Sequence, residues 1–284
     1  MTLGLVVEDA LKAGIGGPGG RGCVLAPILA AILLGVCAVR AATATPEDEL
    51  DAAGLLAAGD SAYARLELDA ATVLYRRAHG AAPGSYEATW KLTRVLTDAA
   101  TMRTSAKEQR RLCEEAVPLA RAAVALDPAG AKGHAYLAIA LGRLALSVSG
   151  REKVRLAHEI AAEARRALAL DPNDDVAHDV LGVWNREMAE LPGVQRLFAT
   201  VLYGRLPQAS LDSAVVHLRA AVALRPEAVP HAVELGITLA DQRHDREAAA
   251  VLERALALPT GWVGDDVYRA RARTALAAVR RRLR

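Results

Sequence analysis

Five stretches of this 284-residue chain end in the same way: "YRRAHGAAP" (75–83), "ARAAVALDP" (120–128), "ARRALALDP" (164–172), "LRAAVALRP" (218–226) and "LERALALP" (252–259). Written beneath one another they share an alanine, at Ala78, Ala123, Ala167, Ala221 and Ala255. Three residues before it stands Tyr75, Ala120, Ala164, Leu218 or Leu252. A small side chain at helical spacing lets a neighbouring helix come close, and a proline, which has no N–H to give, stops the helix that precedes it. Recurrence of this kind marks one two-helix unit stacked several times, because a single hairpin cannot cover its own apolar face.

The rest of the composition agrees. Hydrophobic residues make up 52% of the chain but aromatic ones only 4%, so the core is built of Ala, Leu and Val. No alternating β-branched run suggests a strand, and the expected fold is all-α.

In the first unit Gly59, Ala71, Tyr75, Ala78 and Pro83 have offsets that resemble those of tetratricopeptide repeats. Leu235, Gly236, Ala248, Leu252 and Ala255 repeat them in the last unit, with Pro259 one residue early. The resemblance implies an α-solenoid of helical hairpins with a C-terminal capping helix. Successive prolines lie 45, 44, 54 and 33 residues apart, so the middle units carry insertions, near 101–111, 147–153 and 191–210. Longer antiparallel arms, or an extra short helix in the third case, would accommodate them.

The stretch from His178 to Pro226 is more specific. Its His178, Leu181, Gly182, Trp184, Leu202, Tyr203, Gly204, Pro207 and Ser210 resemble the pattern of the regulator of microtubule dynamics family, over about residues 110–284. Animal members of that family are associated with microtubules. For a chain expected to be exported, away from tubulin, the resemblance implies fold and scaffold character and leaves the partner open. Trp184 is expected to be buried beside the third insertion, near Leu197, Phe198 and Val201.

Ahead of the repeats, Cys23 to Val39 is an uncharged, mostly apolar run that follows Arg21 and precedes small and then acidic residues. It reads as an export signal, cut after Ala44 where Ala42 and Ala44 satisfy A-x-A. The expected division is therefore 1–44 signal peptide and 45–284 repeat domain, with a periplasmic or exported product. The alternative is an uncut inner-membrane anchor over residues 23–39. "GIGGPG" (14–19) spells a dinucleotide-loop pattern without the strand that such a loop requires. Cys113 is the one cysteine outside the export segment, too few for an internal disulfide or a zinc cluster.

A net charge of +2 with few aromatics gives no basis for nucleic-acid binding. The arginine-rich end, 269–284, complements a helix dipole. No H-E-x-x-H, G-x-S-x-G, G-K-[ST] or C-x-x-C motif is present; Asp245 in "HDRE" reads as a helix N-cap and Glu114 and Glu115 as solvated, so no enzyme and no cofactor are expected. His134, His178 and His231 recur at the start of successive first helices, too far apart to converge on one metal; capping or packing is expected of them.

Counting positions along each first helix places Trp90, Arg94, Lys132, Ile139, Arg143, Asp179, Val183, Arg186, Glu187, Val233 and Ile237 on one groove-lining face. Among these Trp90, Arg94, Lys132, Arg143, Asp179, Arg186 and Glu187 are the candidate peptide-binding residues. The expected function is a non-catalytic scaffold that takes a protein or peptide segment in that groove. Two alternatives are self-association through 191–210 and a small apolar ligand or lipid held beneath that insertion, around Trp184 and Phe198.

Overall fold

A computed structural model describes residues 51–191, 193, 200 and 208–284 of the chain. The expected export segment, and Leu197, Phe198, Val201, Leu202, Tyr203, Gly204 and Pro207 of the third insertion, lie outside the described residues.

Among the described residues there are eleven helices and no strand. We number them α1 (Ala52–Ala64), α2 (Leu68–Ala81), α3 (Tyr86–Met102), α4 (Ala106–Leu126), α5 (Ala131–Ala145), α6 (Gly150–Leu170), α7 (Asp175–Ala189), α8 (Leu211–Leu224), α9 (Val229–Asp241), α10 (Asp245–Ala257) and α11 (Asp265–Leu283). Odd and even helices pair into five hairpins, and α11 caps the last. The first two insertions became length: α4 and α6 have 21 residues each, against 14 in α2 and 13 in α10.

The five shared alanines and the five residues three before them are all fully buried. At the end of each of the first four second helices the shared alanine's carbonyl accepts the last helical hydrogen bond, from Ala82, Asp127, Asp171 and Arg225 at 2.8–3.0 Å. The next residue is the proline, and the chain turns there. The first-helix glycines meet the same side chains from the other side of the seam. A Cβ at Gly236 would lie 2.6 Å from Leu252 Cγ, one at Gly59 would lie 2.7 Å from the Tyr75 ring, and one at Gly182 would overlap Leu218.

Both uninterrupted hairpins turn through a left-handed residue seven positions after that glycine, Leu66 at φ 63° and Arg243 at φ 65°. A tight turn between antiparallel helices needs this backbone shape, and here side-chain-bearing residues adopt it.

First helices also touch one another, α3 with α5, α5 with α7, α7 with α9 and α9 with α11. No comparable contact joins successive second helices, so the row bends towards its first helices and makes their outer face concave. Asp245 differs from its expected part: it makes no cap bond at the start of α10, and instead Arg282 of α11 holds its carboxylate with Nε and Nη2. With Arg280 on Glu253 and Arg271 on Glu234, the arginine-rich end is a set of ties between the capping helix and its neighbours.

The seam predicts opposite signs for two glycines. Gly236→Ala should destabilise by about 1–3 kcal/mol because Leu252 has no room to retreat. Gly142→Ala on α5, where a Cβ would meet nothing within 4 Å, should stabilise by about 0.5–1 kcal/mol. Urea unfolding of the two variants checks both, and equal effects would contradict the close approach.

Candidate functional site

The concave face carries polar groups that a simple packing surface does not need. At its N-terminal end Lys91 of α3 reaches Asp60 of α1 at 2.6 Å and Glu87 at 2.5 Å. The Tyr75 hydroxyl donates to the other Asp60 oxygen at 2.7 Å and accepts from Arg94 at 2.9 Å. The Arg94 guanidinium lies 3.8 Å above the Tyr63 ring and 5.2 Å from the Trp90 ring, which stacks on Tyr136 at 5.5 Å and 13°. Arg94 Nε is buried without an acceptor.

Tyr63 donates in turn to Asp98 at 2.8 Å. Asp98 is buried, and burial pushes its carboxyl above the usual range although the hydrogen bond from Tyr63 and the charges of Arg94 and Arg143 pull against it. Burial and the neighbouring Asp98 charge likewise push the Tyr63 phenol up.

The C-terminal end is wired more tightly. Arg186 of α7 is 3% exposed and gives Nη1 to Glu234 of α9 at 2.7 Å, and Arg271 of α11 approaches the same carboxylate. Burial works against charging both groups, yet their mutual attraction holds Glu234 low and Arg186 high. His231 is clamped between Asp179, at 2.9 Å on Nδ1, and Asp175, at 3.0 Å on Nε2. Burial lowers its pKa, but the two carboxylates outweigh burial and lift it to about 9. Burial also opposes ionisation of Asp175, and the bond to His231 and the charge of Arg225 bring that carboxyl down to about 2.

The residues expected in the groove thus have different fates. Arg94 lies 5.2 Å from the Trp90 ring on α3, and Arg143 of α5 is near enough to Asp98 of α3 for its charge to act there. Lys132 pairs with the buried Asp174 at 2.9 Å, and Asp179 is spent on His231. Arg186 is locked inside the array and touches Glu187 at 3.2 Å, which leaves only Glu187 of that pair exposed; Val233 is fully buried. Arg143 alone among these cations forms no hydrogen bond or ion pair among the described residues, although Asp98, Cys113 and Tyr268 feel its charge.

Counting positions missed Tyr63, Asp98, Tyr136 and the aromatic pair Trp262 and Tyr268, whose rings meet edge to face at 5.8 Å. A tryptophan set among glycines in "PTGWVG" (259–264), past the last repeat, was the available signal. Trp184 faces away from this surface: it is buried, and its indole donates to the Ala157 carbonyl of α6 at 2.7 Å.

Residues 55–280, most of the described array, match the family described as regulator of microtubule dynamics protein 1-3. The chain belongs to that family. No curated protein matches this member of the regulator of microtubule dynamics family closely enough to add a nearer relative. Among solved structures it is similar to TTC0263, a thermophilic tetratricopeptide-repeat protein of Thermus thermophilus, with TM-score 0.59 and 21% identity over 80% of this chain and 99% of that one. That likeness supports the repeat fold. Looser likenesses join it to MamA of Desulfovibrio magneticus RS-1 (TM-score 0.44, 13% identity, 73% and 94% covered) and to YrrB, described as a tetratricopeptide-repeat protein with an unusual peptide-binding site (0.41, 16%, 79% and 92%).

Two of the three recurring histidines close turns. His134 Nε2 and His178 Nε2 donate to the carbonyls of Pro128 and Pro172 at 3.1 and 3.2 Å, six residues back in both cases. Among the described residues no group of three or more metal-ligating side chains converges.

Two stability predictions follow from the wiring. Because His231 has a higher pKa folded than the ordinary 6.5, its contribution is complete below pH 6.5 and disappears as pH rises through about 9. The stability gap between wild type and His231→Gln, of order 2 kcal/mol at pH 6, should therefore close by about pH 10, and a gap that persists would refute the clamp. Arg186→Met should cost about 3 kcal/mol in urea unfolding, since Glu234 keeps only the half-exposed Arg271. A cost below about 1 kcal/mol would mean that Glu234 is solvated.

Proposed function

We propose that this family member is a non-catalytic scaffold that holds an extended or helical segment of a protein partner along the concave face. Chains built on this repeat present a preformed surface and need no moving part to recognise a segment laid across successive first helices. One observation carries the reading for the N-terminal half: Arg143 stands on that face with no hydrogen-bond or ion-pair partner among the described residues, while Lys91, Arg94, Lys132, Arg186 and Arg271 are all engaged. A half-buried guanidinium without an acceptor favours an incoming carboxylate or backbone carbonyl. Trp90 and Tyr136, stacked close by, offer the apolar contact that anchors such a segment.

We further read residues 1–44 as the export signal of this scaffold, with an anchor over residues 23–39 as the alternative. Among the described residues no helix is long and apolar enough to cross a membrane.

The test compares crosslinked partners of wild type, Arg143→Glu and Arg166→Glu, the last an exposed arginine on the second helix α6. A partner that binds in the groove is lost at least tenfold with Arg143→Glu and kept with Arg166→Glu. Identical partner sets for all three remove the groove from the reading.

A further inference from the structure

The hairpins repeat their backbone contacts more faithfully than their charges, and the fourth departs from the third at two matched places. Counting back from the shared alanine, α6 carries Glu163 at four residues and Glu159 at eight, where α8 carries His217 and Ser213. Both carboxylates have partners in the structure, and both losses leave a trace.

Glu163 belongs to a histidine. His134 of α5 gives Nε2 to the Pro128 carbonyl at 3.1 Å and faces Glu163 with Nδ1 at 2.6 Å. Each ring nitrogen meets an acceptor, so the ring can hold a proton on both without losing a contact. His178 of α7 repeats the bond to a carbonyl, that of Pro172 at 3.2 Å, but its Nδ1 faces Nδ1 of His217 at 3.1 Å. With centroids 5.3 Å apart the two rings meet end to end, and one proton lies between them. Because the Pro172 carbonyl only accepts, a neutral His178 carries its hydrogen on Nε2, and His217 supplies the shared proton.

Glu159 belongs to an arginine. Long side chains tie successive second helices in a constant register: Arg76 with Glu115 at 2.6 Å, Arg121 with Glu159 at 2.5 Å and Arg219 with Glu247 at 2.7 Å. Each arginine stands two residues before the shared alanine of its helix, and each glutamate eight before the next one. The remaining member of this series joins Arg165 of α6 to Ser213 of α8, which has no charge to offer. Ser213 accepts instead from the Ser210 hydroxyl at 2.9 Å, and Arg165 lies over the Trp184 ring at 5.4 Å.

The joint between α7 and α8 is therefore short of negative charge. Burial, then the facing His178, then Arg165 hold the His217 ring below the ordinary 6.5. The carboxylates nearby are committed elsewhere. In the α6–α7 turn Asp171 accepts the N–H of Asn173, and Asp174 holds Lys132 of α5. On α7, Asp175 and Asp179 clamp His231 of α9, and Asp175 also takes Arg225 from the end of α8. None of these four carboxylates makes a hydrogen bond to either ring of the pair.

We propose that His178 and His217 make the α7–α8 hairpin an acid-operated joint, latched while the two rings share one proton and released once each ring carries its own on Nδ1. A first added proton enters at Nε2 of His217 and leaves that ring's Nδ1–H donating to His178. A second has only Nδ1 of His178 to occupy, which sets two N–H groups and two positive charges head to head. Folded, the pair binds fewer protons than it does unfolded. Its contribution is complete above the ordinary 6.5 and is lost as pH falls below it. The third hairpin, where Glu163 receives the proton of His134, stays closed over the same range. The joint stands whether or not the concave face takes a partner.

Hydrogen exchange of the whole chain at about pH 7.5 and about pH 5, corrected for the intrinsic rate, reads the joint. On acidification the amides of α8 should lose protection at least tenfold more than those of α6. His217→Glu copies the pair of the third hairpin and should reduce that difference to less than twofold. Glu163→His makes the reverse exchange and should bring the tenfold acid loss to α6. Nitrogen-detected NMR of the rings at about pH 7.5 should find the hydrogen on Nδ1 of His217 and none on Nδ1 of His178. Equal acid losses in α6 and α8 of wild type overturn the joint, and so does a loss that His217→Glu leaves unchanged. Glu163→His without acid loss in α6 overturns it as well, and this variant decides if His217→Glu does not fold. Hydrogens on Nε2 of both rings, with neither Nδ1 protonated, overturn the shared proton.

Discussion

The architecture depends on how closely two helices of a hairpin approach. Where Gly59, Gly182 and Gly236 face Tyr75, Leu218 and Leu252, the side chain of one helix lies on the bare backbone of the other. The buried alanine three residues later extends the seam along the same helix face. Dense packing at that distance, rather than a large central core, gives each hairpin its stability, and it explains how the described hairpins can pack with so few aromatic residues. Once the seam is fixed, the proline after the alanine decides where the next hairpin starts, and the contacts between first helices decide which face becomes concave.

On this frame the concave face divides into two regions with different physics. In the C-terminal half, Arg186 with Glu234 and Arg271, and His231 with Asp175 and Asp179, are desolvated groups satisfied by one another across hairpins. Such groups define how α7, α9 and α11 fit together, and they offer little to a visitor. In the N-terminal half the groups are aromatic and cationic, and the Arg143 guanidinium lacks a hydrogen-bond or ion-pair partner among the described residues. Recognition is expected where the internal accounting of polar groups is incomplete.

Legibility from sequence follows the same division. The shared alanines, the prolines and the seam glycines were readable because they depend on neighbours within about 35 residues, inside one repeat. Trp90, Arg94 and Arg143 were readable because repeat position alone puts them on the concave face. Arg186 has the same kind of position, but its burial depends on Glu234 in the next hairpin and on Arg271 in the capping helix, which no position count relates. Asp245 misled for a similar reason, since a local cap and a distant arginine compete for one carboxylate and Arg282 wins. Trp262 lies outside the repeats altogether, where there is no periodicity to say which way a side chain points.

The loop that carries that tryptophan also bears on how such a chain can change over time. An open row of hairpins gains or loses a member at the expense of one interface, and its two ends are indifferent to the number in between. Here the loop at the far end and the end of α3 line one cleft. One more hairpin, or one fewer, would carry the loop roughly 10 Å from α3, about one helix spacing. Gaining or losing a hairpin would therefore open that cleft, a cost that a row with two free ends does not meet.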